Sequence, residues 1–108
     1  MTQRLLARIW HTEIDAGRAD DYERFARQVS LPMFEAQPGF AGVLMLRDGA
    51  RCQVITLWES SEAIDALNSS PTYRATVERI LAEGFLRGEQ HVETLDAHLL
   101  SVAQGAGS

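Results

Sequence analysis

The chain has 108 residues, a net charge of −5, 45% hydrophobic and 23% charged residues, the proportions of one folded soluble domain. An acidic balance excludes the basic face that nucleic acid or an anionic membrane surface would require. All 10 basic residues are arginine, so a Schiff-base or P-loop lysine is excluded too.

Leu5–Ile14 is rich in Leu and Ile and reads as a first strand, ended before Gly17. Asp20 and Asp21 suit the positive end of a following helix, in which Tyr22, Phe25, Ala26 and Val29 form one apolar stripe. Pro32 is expected to interrupt that helix, and Pro38-Gly39 marks a turn. Phe40–Leu46 and Cys52–Trp58 are apolar runs joined through Asp48-Gly49, a hairpin signal because glycine accepts the positive φ of a tight turn. Ser60 or Ser61 then caps a helix whose apolar face is Ala63, Ile64 and Leu67. Ser70-Pro71 starts another, with Tyr73, Val77, Ile80 and Leu81 as its stripe and Gly84 as its stop. A last strand is expected over His91–Leu100, within one domain spanning 1–100, and the small, polar stretch 101–108 reads as a flexible tail.

The order is β-α-β-β-α-β, a ferredoxin-like α+β arrangement. Right-handed crossovers are expected to make the first and third strands parallel neighbours, with the fourth antiparallel beside the first. Both helical segments then cover one face of the sheet. The two hairpin strands are apolar at nearly every position, so the other face is apolar as well, and a second copy of the chain is its simplest cover.

With strands one and three running together, Trp10, His11 and Glu13 are expected near Trp58 and Glu59, and near His91 and Glu93. His11 or His91 has the chemistry of a general base, and Glu93 or Glu13 that of its orienting carboxylate. The same groups are metal-ligand types, but no fixed-spacing motif joins them and no metal is expected. Read as structure alone, Trp58 is a core indole under a helix, Tyr73 a core residue whose hydroxyl wants a partner, Asn68 a local backbone binder, and His98 a solvated strand end. Cys52 is the single cysteine and reads as a small buried hydrophobe. No stretch has transmembrane length, and the first residues lack a leader's apolar core, so a cytoplasmic protein is expected.

Taken together, ARIWHTEIDAGRADDYERF, PGFAGVLMLR, QVITLWESSEAIDALNSSPTYRATV and QHVETLD resemble the antibiotic biosynthesis monooxygenase (ABM) domain family from about Leu5 to His98. The most specific element is the strand ending in Trp-Glu-Ser before the Ser-Pro-x-Tyr helix. The resemblance implies a dimeric α+β barrel, two ferredoxin-like sheets packed face to face. Its oxygenases carry a strand-end Trp and a helix Asn and Tyr, matched here by Trp58, Asn68 and Tyr73. Its haem-degrading branch matches poorly: the strand Asn, helix Trp and haem-ligating His of that branch fall on Trp10, Leu67 and about Val77. Arg8, Trp10, His91 and Glu93 match a branch with Arg-x-Trp in the first strand and His-x-Glu in the last.

The reading that follows is a homodimeric, cofactor-independent monooxygenase of a small aromatic or quinol substrate. His91 or His11 would be the base, with Glu93 beside it, and Trp10, Trp58, Asn68 and Tyr73 would bind the substrate. The alternative is a non-catalytic small-molecule-binding or interaction module on the same dimeric scaffold. An isomerase or cyclase is a third.

Overall fold

The computed structural model describes residues 4–103. Strand β1 (Leu5–Ile14) leads through a short 3-10 turn (Ala16–Arg18) into helix α1 (Ala19–Phe25), a π-helical turn (Ala26–Ser30) and helix α2 (Leu31–Glu35). The hairpin β2 (Phe40–Asp48) and β3 (Arg51–Trp58) follows, then α3 (Ser61–Ser69), α4 (Pro71–Glu83) and β4 (Leu86–Ala97). The last strand therefore begins five residues earlier than the sequence reading placed it, because Phe85 is a fully buried anchor that brings the chain straight back to the sheet. Residues 101–103 are exposed and without regular structure; the remainder of the expected tail, 104–108, lies outside the described residues.

The sheet order is β2-β3-β1-β4, and every pairing is antiparallel. This corrects the parallel pairing expected for β1 and β3. The first crossover joins β1 to β2, which leaves room for β3 to return between them in the opposite direction. Trp58 consequently stands opposite Leu6, at the start of β1, while Trp10 stands opposite Val54.

Pro32 does not end the first helical segment. It cannot donate to the carbonyl four residues back, and its ring crowds that carbonyl. The π-helical turn Ala26–Ser30 immediately before it widens the backbone, and the helix resumes with Pro32 in its first turn. Ser60 caps α3 and Ser70 caps α4, each accepting from a backbone N–H in the first helical turn. Gly84 ends α4 in the left-handed conformation at φ 79°.

Strand alternation sorts the side chains onto two faces. Arg8, Trp10, Thr12 and Ile14 of β1, with Cys52, Val54, Thr56 and Trp58 of β3, turn toward the helices; the core there forms two clusters, one around Phe85 and Tyr22 and the other around Trp58 and Leu67. Leu81, assigned to the α4 stripe from sequence, points outward instead, and Tyr73, Val77 and Ile80 carry the inward face. On the opposite face the register aligns Leu44, Ile55 and Ile9 in one row and Leu46, Gln53, His11 and His91 in the next. Leu44, Leu46 and Leu95 are exposed there.

Candidate functional site

A cavity of about 140 Å³ opens between the middle of β1 and the helices. Arg8 and Trp10 form its floor because residues two apart on a strand share a face. Val54 and Met45 extend that floor, and Gln90 and Val92 reach it from β4. Met33, Phe34 and the π-helical residues Ala26 and Ser30 make one wall; Tyr73, Thr76, Val77 and Ile80 of α4 make the other. A mostly apolar cavity with a few convergent polar groups is the usual form of a small-molecule site.

The polar groups are ordered. Nη2 of Arg8 donates to the Tyr73 hydroxyl at 2.7 Å, and Nε1 of Trp10 donates to Oε1 of Gln90 at 3.2 Å. Arg8 is only 7% exposed, and it is the one charged side chain buried among the described residues. A buried guanidinium is costly unless something negative or strongly polar faces it.

The residues expected to meet at one end of the sheet are divided between its two faces. Trp10 and Tyr73 lie in the cavity. Trp58 has no exposed surface and does not line it: its indole N–H donates to the Thr56 hydroxyl at 2.7 Å, and its ring meets Phe40 edge to face. Asn68 lies on the exposed side of α3, away from the cavity, where its backbone carbonyl accepts from Arg74. His11, His91 and Glu93 occupy the face turned from the helices. There Nε2 of His11 is 2.9 Å from Oε2 of Glu93, and the two imidazole rings are 5.6 Å apart. The expected neighbourhood of Trp10, His11 and Trp58 is thus corrected twice over. The antiparallel register carries Trp58 to the far end of β1, and alternation sends His11 to the other face from Trp10. Glu13 shares the open face of β1 with His11, past a bulge at which β4 shifts register, and lies away from Trp58 for the same antiparallel reason.

Sequence reasoning passed over Arg8 and Gln90 as site residues. A charged residue two positions before Trp10, flanked by Leu5, Leu6, Ala7 and Ile9 in the apolar half of a central strand, was the available signal for the first. Gln90 carries no such signal, since its role comes from cross-strand placement beside Trp10.

A family model described as antibiotic biosynthesis monooxygenase matches residues 6–79. The chain belongs to this family. Among solved structures, a Nitrosomonas europaea protein of unknown function is 17% identical with a TM-score of 0.76, the match covering 95% of this chain and 98% of that one. SnoaB of Streptomyces nogalater, a cofactor-independent oxygenase, is 16% identical with a TM-score of 0.70 over 92% of this chain and 97% of its own. Rv0793 of Mycobacterium tuberculosis is 18% identical with a TM-score of 0.68, covering 92% and 99%. At these identities the likeness is one of fold. No curated protein matches the chain.

Among the described residues, no group of three or more His, Cys, Asp or Glu side chains is gathered to hold a metal ion. No helix among them is long and apolar enough to cross a membrane.

Proposed function

We propose that this ABM-family chain is a cofactor-independent monooxygenase that oxidises a small phenol or quinol in the cavity between sheet and helices, and that it works as a homodimer. The observation that carries the reading is the cavity itself: an aromatic and aliphatic enclosure at Trp10, Phe34 and Met45, with the Arg8–Tyr73 pair as its polar end. The oxygenase among the structures of the same fold supports it.

The redox balance needs no outside reductant. A phenol with a C–H para to its hydroxyl loses the phenolic proton, and the electron-rich anion passes an electron to O2. Recombination at the para carbon forms a C–O bond and, once protonated, a hydroperoxide. Loss of the remaining hydrogen on that carbon breaks the O–O bond and releases water. One oxygen atom ends in the quinone carbonyl and the other in water, and the substrate supplies all four electrons. The apolar walls shield the anion and the hydroperoxide from solvent during these steps.

A second reading follows from the His11–Glu93 hydrogen bond, which has the form of a base held by a carboxylate. His11 or His91 would then serve a ligand enclosed between the two sheets of the homodimer. The homodimer reading rests on the exposed Leu44, Leu46 and Leu95 around this face.

Oxygen uptake with a panel of single-ring phenols that carry hydrogen on the para carbon tests the proposal. One quinone formed per O2 consumed, with no hydrogen peroxide released, supports it. Trp10→Ala should then lower turnover at least tenfold with His11→Ala and His91→Ala unaffected, whereas loss in the histidine variants alone moves the chemistry to the open face. Binding of these compounds without oxygen uptake makes the chain a non-catalytic small-molecule-binding module.

A further inference from the structure

Arg8 sits on the central strand under α4, buried, and facing the cavity. Among the described residues no carboxylate lies within ion-pairing distance of it, although Arg18, Arg24, Arg47 and Arg87 each have one within 4.0 Å. Its guanidinium makes one hydrogen bond, to the hydroxyl of Tyr73. A guanidinium has five donors in a planar fork suited to two parallel bonds to an anion. The elements packed around the cavity supply no negative charge. Tyr73 on α4 and Tyr22 on α1 are the other titratable groups lining it, while α2, β2, β3 and β4 contribute methionine, phenylalanine, valine and glutamine.

We propose that Arg8 is an anion-binding group and that the cavity takes its ligand as the anion of a single-ring phenol. The inference rests on the reading of this cavity as the substrate site and narrows the substrate class. The volume supports one ring: about 140 Å³ compares with the roughly 150 Å³ cavity that admits benzene. The ring lies against Trp10 and Phe34, and the ionised oxygen meets the free side of the Arg8 fork, with Tyr73 holding the other. Pairing with a desolvated cation favours the phenolate over the phenol, so the proton leaves to solvent as the ligand binds. A cavity lined by neither histidine nor carboxylate can thus still present the electron-rich anion.

The test uses 4-nitrophenol, whose ionised form absorbs at longer wavelength than its neutral form, and nitrobenzene as the uncharged analogue of the same shape. With the wild-type protein, the bound nitrophenol should ionise at least one pH unit below the free compound, a tenfold preference for the anion. Nitrobenzene should bind at least tenfold more weakly than the nitrophenolate. Arg8→Met should abolish both differences, and Arg8→Lys should keep part of the shift. If Arg8→Met does not fold, the wild-type pair of ligands and Arg8→Lys decide the matter. Equal binding of the two probes, an unchanged or raised ionisation of bound nitrophenol, the same shift in Arg8→Met, or no binding of the nitrophenolate at millimolar concentration each overturns the proposal. Oxygen uptake is a separate reading: its absence with the shift intact removes the oxygenase and leaves the anion site.

Discussion

Arg8 and Tyr73 meet at 2.7 Å across the cavity, joining the central strand to α4 through a single charge-assisted hydrogen bond. Removing the hydroxyl leaves a buried guanidinium with no protein acceptor among the described residues. Tyr73→Phe should therefore destabilise the fold by about 1.5–3 kcal/mol, the range for hydrogen bonds to charged groups. Urea unfolding of the two proteins measures it, and a change within about 0.5 kcal/mol would mean that water replaces the phenol at no cost.

Ile55 lies between Ile9 and Leu44 at the centre of the face turned from the helices. Light scattering of the wild type should give twice the 12.0 kDa chain mass. Ile55→Asp should give the single-chain mass, or an unfolded chain if the monomer cannot stand with its sheet exposed. A folded variant still at double mass would place the interface elsewhere.

Alkaline pH should weaken the fold through two neighbouring groups. Burial pushes the Cys52 thiol above the usual thiol range, and burial together with that thiol pushes the Tyr22 hydroxyl up as well. Both hold their protons more tightly folded than unfolded. Their stabilising contribution is complete below the ordinary thiol pKa of about 8.5 and is lost as pH rises from there toward the folded values. Thermal unfolding from pH 7 to 11 should show Tm declining above that point, with a shallower first decline in Cys52→Ala. Asp21 acts in the opposite sense: hydrogen bonding to Arg18 lowers its pKa, so its contribution fades as pH falls through the carboxylate range.

Gly39 closes the turn into β2 at φ 80°, and a Cβ there would lie 2.5 Å from Cβ of Ala63 on α3. Gly39→Ala combines a left-handed backbone with a clash against a packed helix, and should cost about 2 kcal/mol or more. Gly49→Ala is the control. It shares the positive φ but has no atom within 4 Å of the added carbon, so it should cost only the conformational part, about 1–2 kcal/mol. Equal losses in the two variants would show that Ala63 yields freely.

Local chemistry made the elements legible. The Asp48-Gly49 hairpin, the Ser60 and Ser70 caps and the Gly84 stop each act through backbone groups a few residues away, so a short window of sequence contains the whole cause. Alternation likewise puts Arg8 and Trp10 on one face of β1 and His11 and Glu13 on the other, whatever strand lies beside it. The direction of β3 beside β1 has no such local cause. It depends on which strand the first crossover reaches, and that one choice moved Trp58 from the neighbourhood of Trp10 to that of Leu6. The division of the candidate residues has the same origin. Trp10 and His11 are adjacent in sequence, yet only helices packing on one side of the sheet make one a cavity wall and leave the other on the open face beside Glu93. Arg8 is an ordinary arginine in the sequence; it becomes a buried charge facing a cavity because Tyr73, on a helix far along the chain, covers it.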